Sequence, residues 1–196
     1  GRRLWYMCQG CDPDPVCGVV ADPKSIGHGK VLPPGCAQEV VILSYLYRMS
    51  LKVAARLRDH QLSAKKFFIG LKSVNWGWLG GHFYLPTADQ DGHAIYQLAQ
   101  QCYAQYRQHH GVLYQVQVTA LGPEPMSAQG DLFATYDGRQ QQLNQVMDSI
   151  NQRFGGASLQ PLSVLRQANA VDVIAPAWRP NGARNSISGG QDGADV

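Results

Sequence analysis

A chain of 196 residues with ordinary apolar content can bury one good core, or one domain with appendages. Its net charge of +3 hides a segregation: Lys24 to Lys72 carries nine basic residues against two acids, a local +7, and the remainder of the chain is −4. No apolar run approaches the ~20 residues that span a bilayer, nothing resembles a signal peptide, and a start at Gly1 without Met marks a trimmed chain or a piece of a longer one.

Residues 1–17 begin with a short apolar turn, Leu4-Trp5-Tyr6-Met7, and the Asp-Pro pairs of Gly10-Cys-Asp-Pro-Asp-Pro15 stop any helix there. This reads as the frayed end of an upstream helical unit, followed by a linker to about Asp22. From Lys24 to Leu32 the chain alternates loosely, with Ile26, His28 and Lys30 on one side and Gly27, Gly29 and Val31 on the other. Its glycines would let another backbone approach closely, and Pro33-Pro34-Gly35 ends the predicted strand.

A helix is predicted from about Gln38 to Asp59. Leu43, Leu46, Tyr47, Ala54 and Leu57 form its apolar stripe, and Arg48, Lys52, Arg56 and Arg58 its charged side. Lys65 to Val74 follows as a strand, with Phe67, Ile69 and Leu71 pointing one way and Lys66, Phe68, Gly70 and Lys72 the other. Asn75-Trp-Gly-Trp78 with Gly80-Gly81 makes a hairpin turn, and His82 to Leu85 returns as the partner. Thr87-Ala-Asp-Gln90 has capping-box form and is expected to open a second helix, in whose first turn Asp89 and Asp91 would favour the dipole. Ile95, Leu98, Ala99, Cys102 and Tyr106 line its inner face to about Gln108. His109 and His110 would then stand at its C-terminal end. Leu113 to Ala120 is the clearest strand, with Tyr114, Val116 and Val118 against Gln115, Gln117 and Thr119, and Gly122-Pro-Glu-Pro125 breaks it.

The resulting order, β-α-β-β-α-β, is that of an α+β split-βαβ domain: a four-stranded sheet carrying both helices on one face. Phe67, Ile69, Leu71, Tyr114, Val116 and Val118 would pack under the helices. Lys66, Lys72, Gln115, Gln117 and Thr119 would line the open face. A basic, amide-rich face with few acids can lie against phosphates while ignoring base identity. The concentration of charge likewise predicts a polyanionic partner, nucleic acid or an acidic membrane surface, where a solvated helix face would explain single lysines better.

Beyond the domain, Gln129-Gly-Asp-Leu-Phe133 sits between proline-flanked turns and a third helix. Two adjacent large apolar residues in such a loop suit a peptide that docks into another protein's pocket. On the pentapeptide alone, Leu132 and Phe133 folding back onto the local core is the plainer outcome. Asp137 to Phe154 is the third helix, with Leu143, Val146, Met147, Ile150 and Phe154 as its apolar stripe and Gly155-Gly156 at its end. Leu159 to Leu165 is expected as a short extended segment. The Pro/Gly/Ser-rich end reads as an extended or disordered tail.

Five cysteines, an odd count without secretory features, point to a reducing compartment. Cys8-x-x-Cys11 with Cys17 and Cys36 could supply four thiolates to zinc, but a second paired C-x-x-C is missing, so free thiols are the expected state. Cys102 is expected in the core.

Several separated strings line up in one order: Gly1-Arg-Arg-Leu-Trp-Tyr with Gly10-x-Asp12, Pro23-Lys-Ser-Ile-Gly-His28, the split-βαβ domain with Leu85-Pro-Thr87, Gln129-Gly-Asp-Leu-Phe133, and Arg153-Phe-Gly-Gly156. Together they resemble the C-terminal region of bacterial Y-family DNA polymerases of the UmuC/DinB-like branch. The resemblance implies four segments: 1–22 as the end of the thumb and a linker, 23–125 as the little-finger DNA-binding domain, 126–166 as the clamp-binding motif and C-terminal helix, and 167–196 as the tail. It implies that Lys24, Ser25, Gly27 and His28 begin a first strand, continued by Lys30, that runs beside the DNA backbone. It implies also that the open sheet face grips the duplex through its phosphates, with Lys66, Lys72, Gln115 and Gln117 in contact. Gln129, Asp131, Leu132 and Phe133 match the motif that binds the sliding clamp, the apolar pair filling a pocket and the Gln129 amide bonding beside it. Gly130 is a departure that adds backbone freedom binding must remove.

The resemblance also implies a DNA primer-template and the beta sliding clamp as partners, accessory mutagenesis proteins besides, no membrane, and a cytoplasmic role in translesion synthesis, DNA repair and the SOS response. Nucleotidyl transfer in this family uses two metal ions held by palm carboxylates, so Mg would belong to a palm upstream of Gly1. The acids here are scattered, and no catalytic or metal-binding residue is expected. A stand-alone, non-catalytic clamp and DNA interaction module is the alternative. A generic RNA-binding split-βαβ domain is a third reading; it needs aromatics on the open face, where only Phe68 and Tyr84 are expected.

Overall fold

The computed structural model describes residues 1–11, 23–109, 111–126, 138–155 and 158–165. The chain divides into two units. In the first, Arg2–Cys8 forms a helix (α1) that leaves Leu4, Trp5 and Met7 exposed, with the Trp5 and Tyr6 rings edge to face at 5.0 Å. The predicted linker to Asp22 falls outside the described residues, as does the tail from 166 onward.

The second unit, Pro23–Val171, holds the β-α-β-β-α-β order that the alternation predicts. Its elements are β1 (Ser25–Val31), α2 (Glu39–Asp59), β2 (Leu62–Ser73), β3 (Gly77–Asp89), α3 (Gly92–Tyr106) and β4 (Leu113–Leu121). The strands lie in the order β1-β4-β2-β3, and every neighbouring pair is antiparallel. A two-residue strand, β5 (Glu124–Pro125), returns to β2. Lys66 opposes Leu121 and Leu62 opposes Pro125, so the register of β4 is kept across the turn at Gly122, whose φ is +55°. The expected break at Gly122-Pro-Glu-Pro125 is therefore an interruption in one pairing line.

Both helices cover the same side of the sheet, α2 over β1, β4 and β2 and α3 over β2 and β3. Ile42, Leu46, Met49, Val53 and Leu57, at three- and four-residue steps, turn one side of α2 inward and are fully buried. They meet Phe67, Ile69 and Leu71 of β2 and Val116 and Val118 of β4, together with Ile95, Ala99 and Cys102 of α3. Each of the larger side chains contributes roughly 1.5–3 kcal/mol by leaving water. Glu39 in the first turn of α2 and Arg56 and Arg58 in its last complement the helix dipole. Gln61, at φ +56°, turns the chain from the helix into β2.

Several expectations are corrected. The buried strip of α2 is rotated by about one residue: Leu43 and Tyr47 are half-buried, and Arg48, expected on the charged side, is buried. Thr87 to Asp89 do not open a helix; they finish β3, and the helix cap is Asp91, whose Oδ2 accepts from the backbone N–H of His93 (3.1 Å) and Ala94 (2.9 Å). Asp89 Oδ1 accepts instead from the N–H groups of Gln90 and Asp91 in the turn between the two elements. The return strand starts at Gly77 rather than His82, because the hairpin turn occupies only residues 74–76. Tyr114 does not pack under the helices. A register shift next to Ser73 gives that position to Leu113, which is fully buried, while Tyr114 is half-buried.

Past residue 137, α4 (Gly138–Phe154) forms as predicted, but Leu143, Val146 and Phe154 of its apolar stripe are exposed. Polar contacts tie it to the domain: Arg58 to Asp148, and the Asn144 side chain to Asp91 Oδ1 at 2.9 Å. Leu159 to Leu165 is not extended. The Asn151 amide bonds both the N–H (2.8 Å) and the C=O (3.0 Å) of Leu159, and a short helix, α5 (Leu162–Leu165), follows against α2 with Val164 fully buried. Among the described residues no helix is long and apolar enough to cross a membrane.

Candidate nucleic-acid interface

Because Phe67, Ile69 and Leu71 face the helices, the period of two sends Lys66, Phe68, Gly70 and Lys72 to the other side of β2. Nothing in the domain's two helices covers that side. Cross-strand pairing then fixes its neighbours. Toward β4 the rows are Lys72–Gln115, Gly70–Gln117, Phe68–Thr119 and Lys66–Leu121. Toward β3 they are Lys72–Trp78, Gly70–Gly80, Phe68–His82 and Lys66–Tyr84. On the far edge β1 adds Ser25, Gly27, Gly29 and Val31 opposite Leu121, Thr119, Gln117 and Gln115. No position in these rows is acidic.

The two halves of this face differ in chemistry. The β1–β4 half is built of amides, hydroxyls and glycines, with Val31 at one end and Leu121 at the other. Gln117 Nε2 donates to Thr119 Oγ1 at 3.1 Å, and a Cβ at Gly27 would stand 2.5 Å from that same oxygen, so only glycine lets the threonine lie across the strand. The β2–β3 half is cationic and aromatic. Lys72 Nζ lies 5.0 Å from the centre of the Tyr114 ring and 5.4 Å from that of Trp78, and Lys66 Nζ lies 6.0 Å from Tyr84. The Trp78 indole and Phe68 ring close over Gly70, where a Cβ would meet each at 3.0 Å.

Of the positions expected to meet DNA, Ser25, Gly27, Lys66, Lys72, Gln115 and Gln117 fall on this face, and Lys24 is exposed just before β1. His28 and Lys30 do not join them. Alternation turns both to the helix-covered side, where His28 is buried at 7% exposure opposite Val118. Part of the basic concentration is likewise spent on the fold: Arg48 is buried, Arg56 Nη1 donates to the Gly27 carbonyl at 2.9 Å, and Arg58 pairs with Asp148. The sequence leaves open whether Trp78 at the hairpin touches DNA, and it does not assign His82 or Tyr114 to this face. For the first two the signal was present, since Trp78, Gly80, His82 and Tyr84 recur at steps of two; starting the strand at His82 hid it. The clamp-motif residues Gln129, Asp131, Leu132 and Phe133 lie outside the described residues.

Cys36 and Cys102 are buried, and Cys102 Sγ donates to the Ile69 carbonyl at 3.7 Å; burial pushes its thiol up to about 12. Cys8 and Cys11 are exposed. Among the described residues no group of three His, Cys, Asp or Glu side chains stands close enough to hold a metal ion.

Residues 23–132 match the model of the impB/mucB/samB family C-terminal domain. The DNA polymerase IV of Moorella thermoacetica is 29% identical over 157 residues, which are 79% of this chain and 39% of that protein. The chain thus spans about two-fifths of the length of the curated relative it matches. A solved structure described as a complex of beta-clamp processivity factor and little finger domain of PolIV aligns with 56% of this chain and 99% of that one, at 12% identity and a TM-score of 0.43.

Proposed function

The chain belongs to the impB/mucB/samB family through its C-terminal domain, and from that premise we propose that it is the DNA-gripping and clamp-tethering part of a Y-family polymerase acting in translesion synthesis. The observation that carries the DNA half is the sheet face that neither α2 nor α3 covers, where Lys66 and Lys72 stand among glutamines, glycines and a threonine with no acid between them. Such a face attracts phosphates by charge and receives them on amides, without satisfying any base edge. A grip of that kind tolerates a damaged template. The clamp half is supported by the Gln129, Asp131, Leu132 and Phe133 string, held between β5 and α4 in the chain.

In the whole protein, a palm domain would supply the carboxylates and the Mg for nucleotidyl transfer, acting in the cytoplasm during the SOS response and with accessory mutagenesis proteins. The 196-residue chain would bind and not polymerise. The test is direct: titrate the chain with primer-template duplex at several salt concentrations, and with the sliding clamp. Salt-sensitive, sequence-indifferent duplex binding together with clamp association is expected. Failure to bind duplex at low salt overturns the DNA half, and failure to bind the clamp overturns the other.

A further inference from the structure

We propose that the β2–β3 half of the uncovered face is a stacking platform for unpaired bases, so that this domain holds a single-stranded segment of DNA as well as duplex phosphates. The proposal rests on the reading of the sheet as a DNA-binding face and assigns its aromatic half a distinct ligand. Three rows carry it. Lys72 stands opposite Trp78, Phe68 opposite His82, and Lys66 opposite Tyr84, all on one side of two paired strands.

A phosphate-only grip has no use for exposed rings, yet Trp78 is 45% and Tyr84 57% exposed. Trp78 and Tyr84 are six residues apart on one strand, about 20 Å along the sheet. Phe68 and His82, with ring centres 6.0 Å apart, lie between them. Gly70 and Gly80 form the one row without side chains, and a side chain there would be excluded from both sides: Trp78 and Phe68 crowd Gly70, and the Ile69 carbonyl blocks Gly80. The result is a strip of rings along the two strands, with Trp78 at one end and Tyr84 at the other.

Each terminal ring carries its own cation. Lys72 Nζ sits over Trp78 and Tyr114, and Lys66 Nζ near Tyr84. A base that stacks on the ring displaces the ammonium from an exposed π-face and leaves it free for the adjoining phosphate. A cation over an exposed ring is the weaker of the two contacts, so the exchange favours the nucleic acid. Ring, cation and missing acid together match a strand whose bases are unstacked and whose backbone is charged. Duplex DNA offers the phosphates but keeps its base faces covered.

The test compares a thymidine oligomer, an abasic oligomer of the same length, and a duplex, each titrated against the full chain. The wild-type chain should prefer the thymidine oligomer to the abasic one by at least about fivefold, the gain expected from one stacked base. Trp78→Ala with Tyr84→Ala should erase that preference, so that the thymidine and abasic oligomers are bound alike. Trp78→Phe with Tyr84→Phe keeps a ring at each end and should restore most of it, which separates stacking from damage to the sheet. Equal binding of thymidine and abasic oligomers by the wild type overturns the platform while leaving the phosphate grip standing. Loss of all three ligands in the alanine variant, with the phenylalanine variant no better, also overturns it. A wild-type chain that binds no DNA overturns both readings.

Discussion

The guanidinium of Arg58 grips both carboxylate oxygens of Asp148, Nε to Oδ2 at 2.6 Å and Nη2 to Oδ1 at 2.9 Å, across ninety positions of sequence. Its remaining Nη1 donates to the Gln90 carbonyl at 2.8 Å, and the two side chains are only 12% and 24% exposed. One arginine of α2 therefore ties α4 to the turn that precedes α3. With much of the apolar stripe of α4 exposed, the helix is held to the domain by this fork and by the side-chain amides of Asn144 (2.9 Å) and Gln140 (3.4 Å), which both donate to Asp91 Oδ1.

Asp148→Ala should therefore loosen α4 and lower the stability of the chain by about 1.5–3 kcal/mol, the range for hydrogen bonds to a charged group. Urea unfolding measures the loss, and hydrogen exchange should locate it in α4. A midpoint equal to that of the wild type would show the fork to be dispensable.

Lys66→Glu with Lys72→Glu should weaken duplex binding across all sequences. Removing two phosphate contacts should flatten the dependence of log K on log salt by roughly 2. An unchanged slope would move the DNA contact away from this face.

Leu132→Ala with Phe133→Ala should abolish association with the sliding clamp while the circular dichroism spectrum and melting temperature stay put. Retained clamp binding would mean that the pair serves the local core instead. Gln129→Ala should weaken binding less, since one amide contact is lost and the apolar pair remains.

Gly80→Ala should destabilise the domain by more than about 2 kcal/mol, because its φ of +138° is strained for any other residue and a Cβ would run into the Ile69 carbonyl. Gly81→Ala, one residue on, meets nothing within 4 Å and should cost less than about 1 kcal/mol. Equal effects would place the constraint elsewhere in the hairpin.

Stability should fall on the alkaline side. Burial raises the Cys102 thiol from 9.0 to about 12, so the folded state holds its proton after the unfolded state has released it. The contribution is complete below pH 9 and is lost as the pH climbs towards 12. Burial raises Tyr45, Tyr47, Tyr96 and Tyr103 above 10.0 as well, which adds to the decline. Urea midpoints of the wild type and of Cys102→Ala across pH 8 to 11 should converge as the pH rises; parallel curves would remove Cys102 from the effect.

What the sequence determined by itself is the order of the elements and, on β2 and on β4 from Gln115 onward, the side each residue takes. Phe67, Ile69 and Leu71 against Lys66, Phe68 and Lys72 is a period of two, and a strand cannot satisfy it with its faces exchanged. The positions of Gln115 and Gln117 followed for the same local reason. Tertiary structure alone decided the rest. Tyr114 left the core because pairing with β2 shifts by a residue beside Ser73, and Arg48 entered the interior because the rotation of a long helix is set by everything packed around it. Trp78 became part of the open face when β3 was extended to the hairpin, a length fixed by hydrogen bonds to β2 and not by the composition of the turn. Alternation acts between neighbours in the chain, whereas register, bulges and helix rotation are settled by partners that lie tens of residues away.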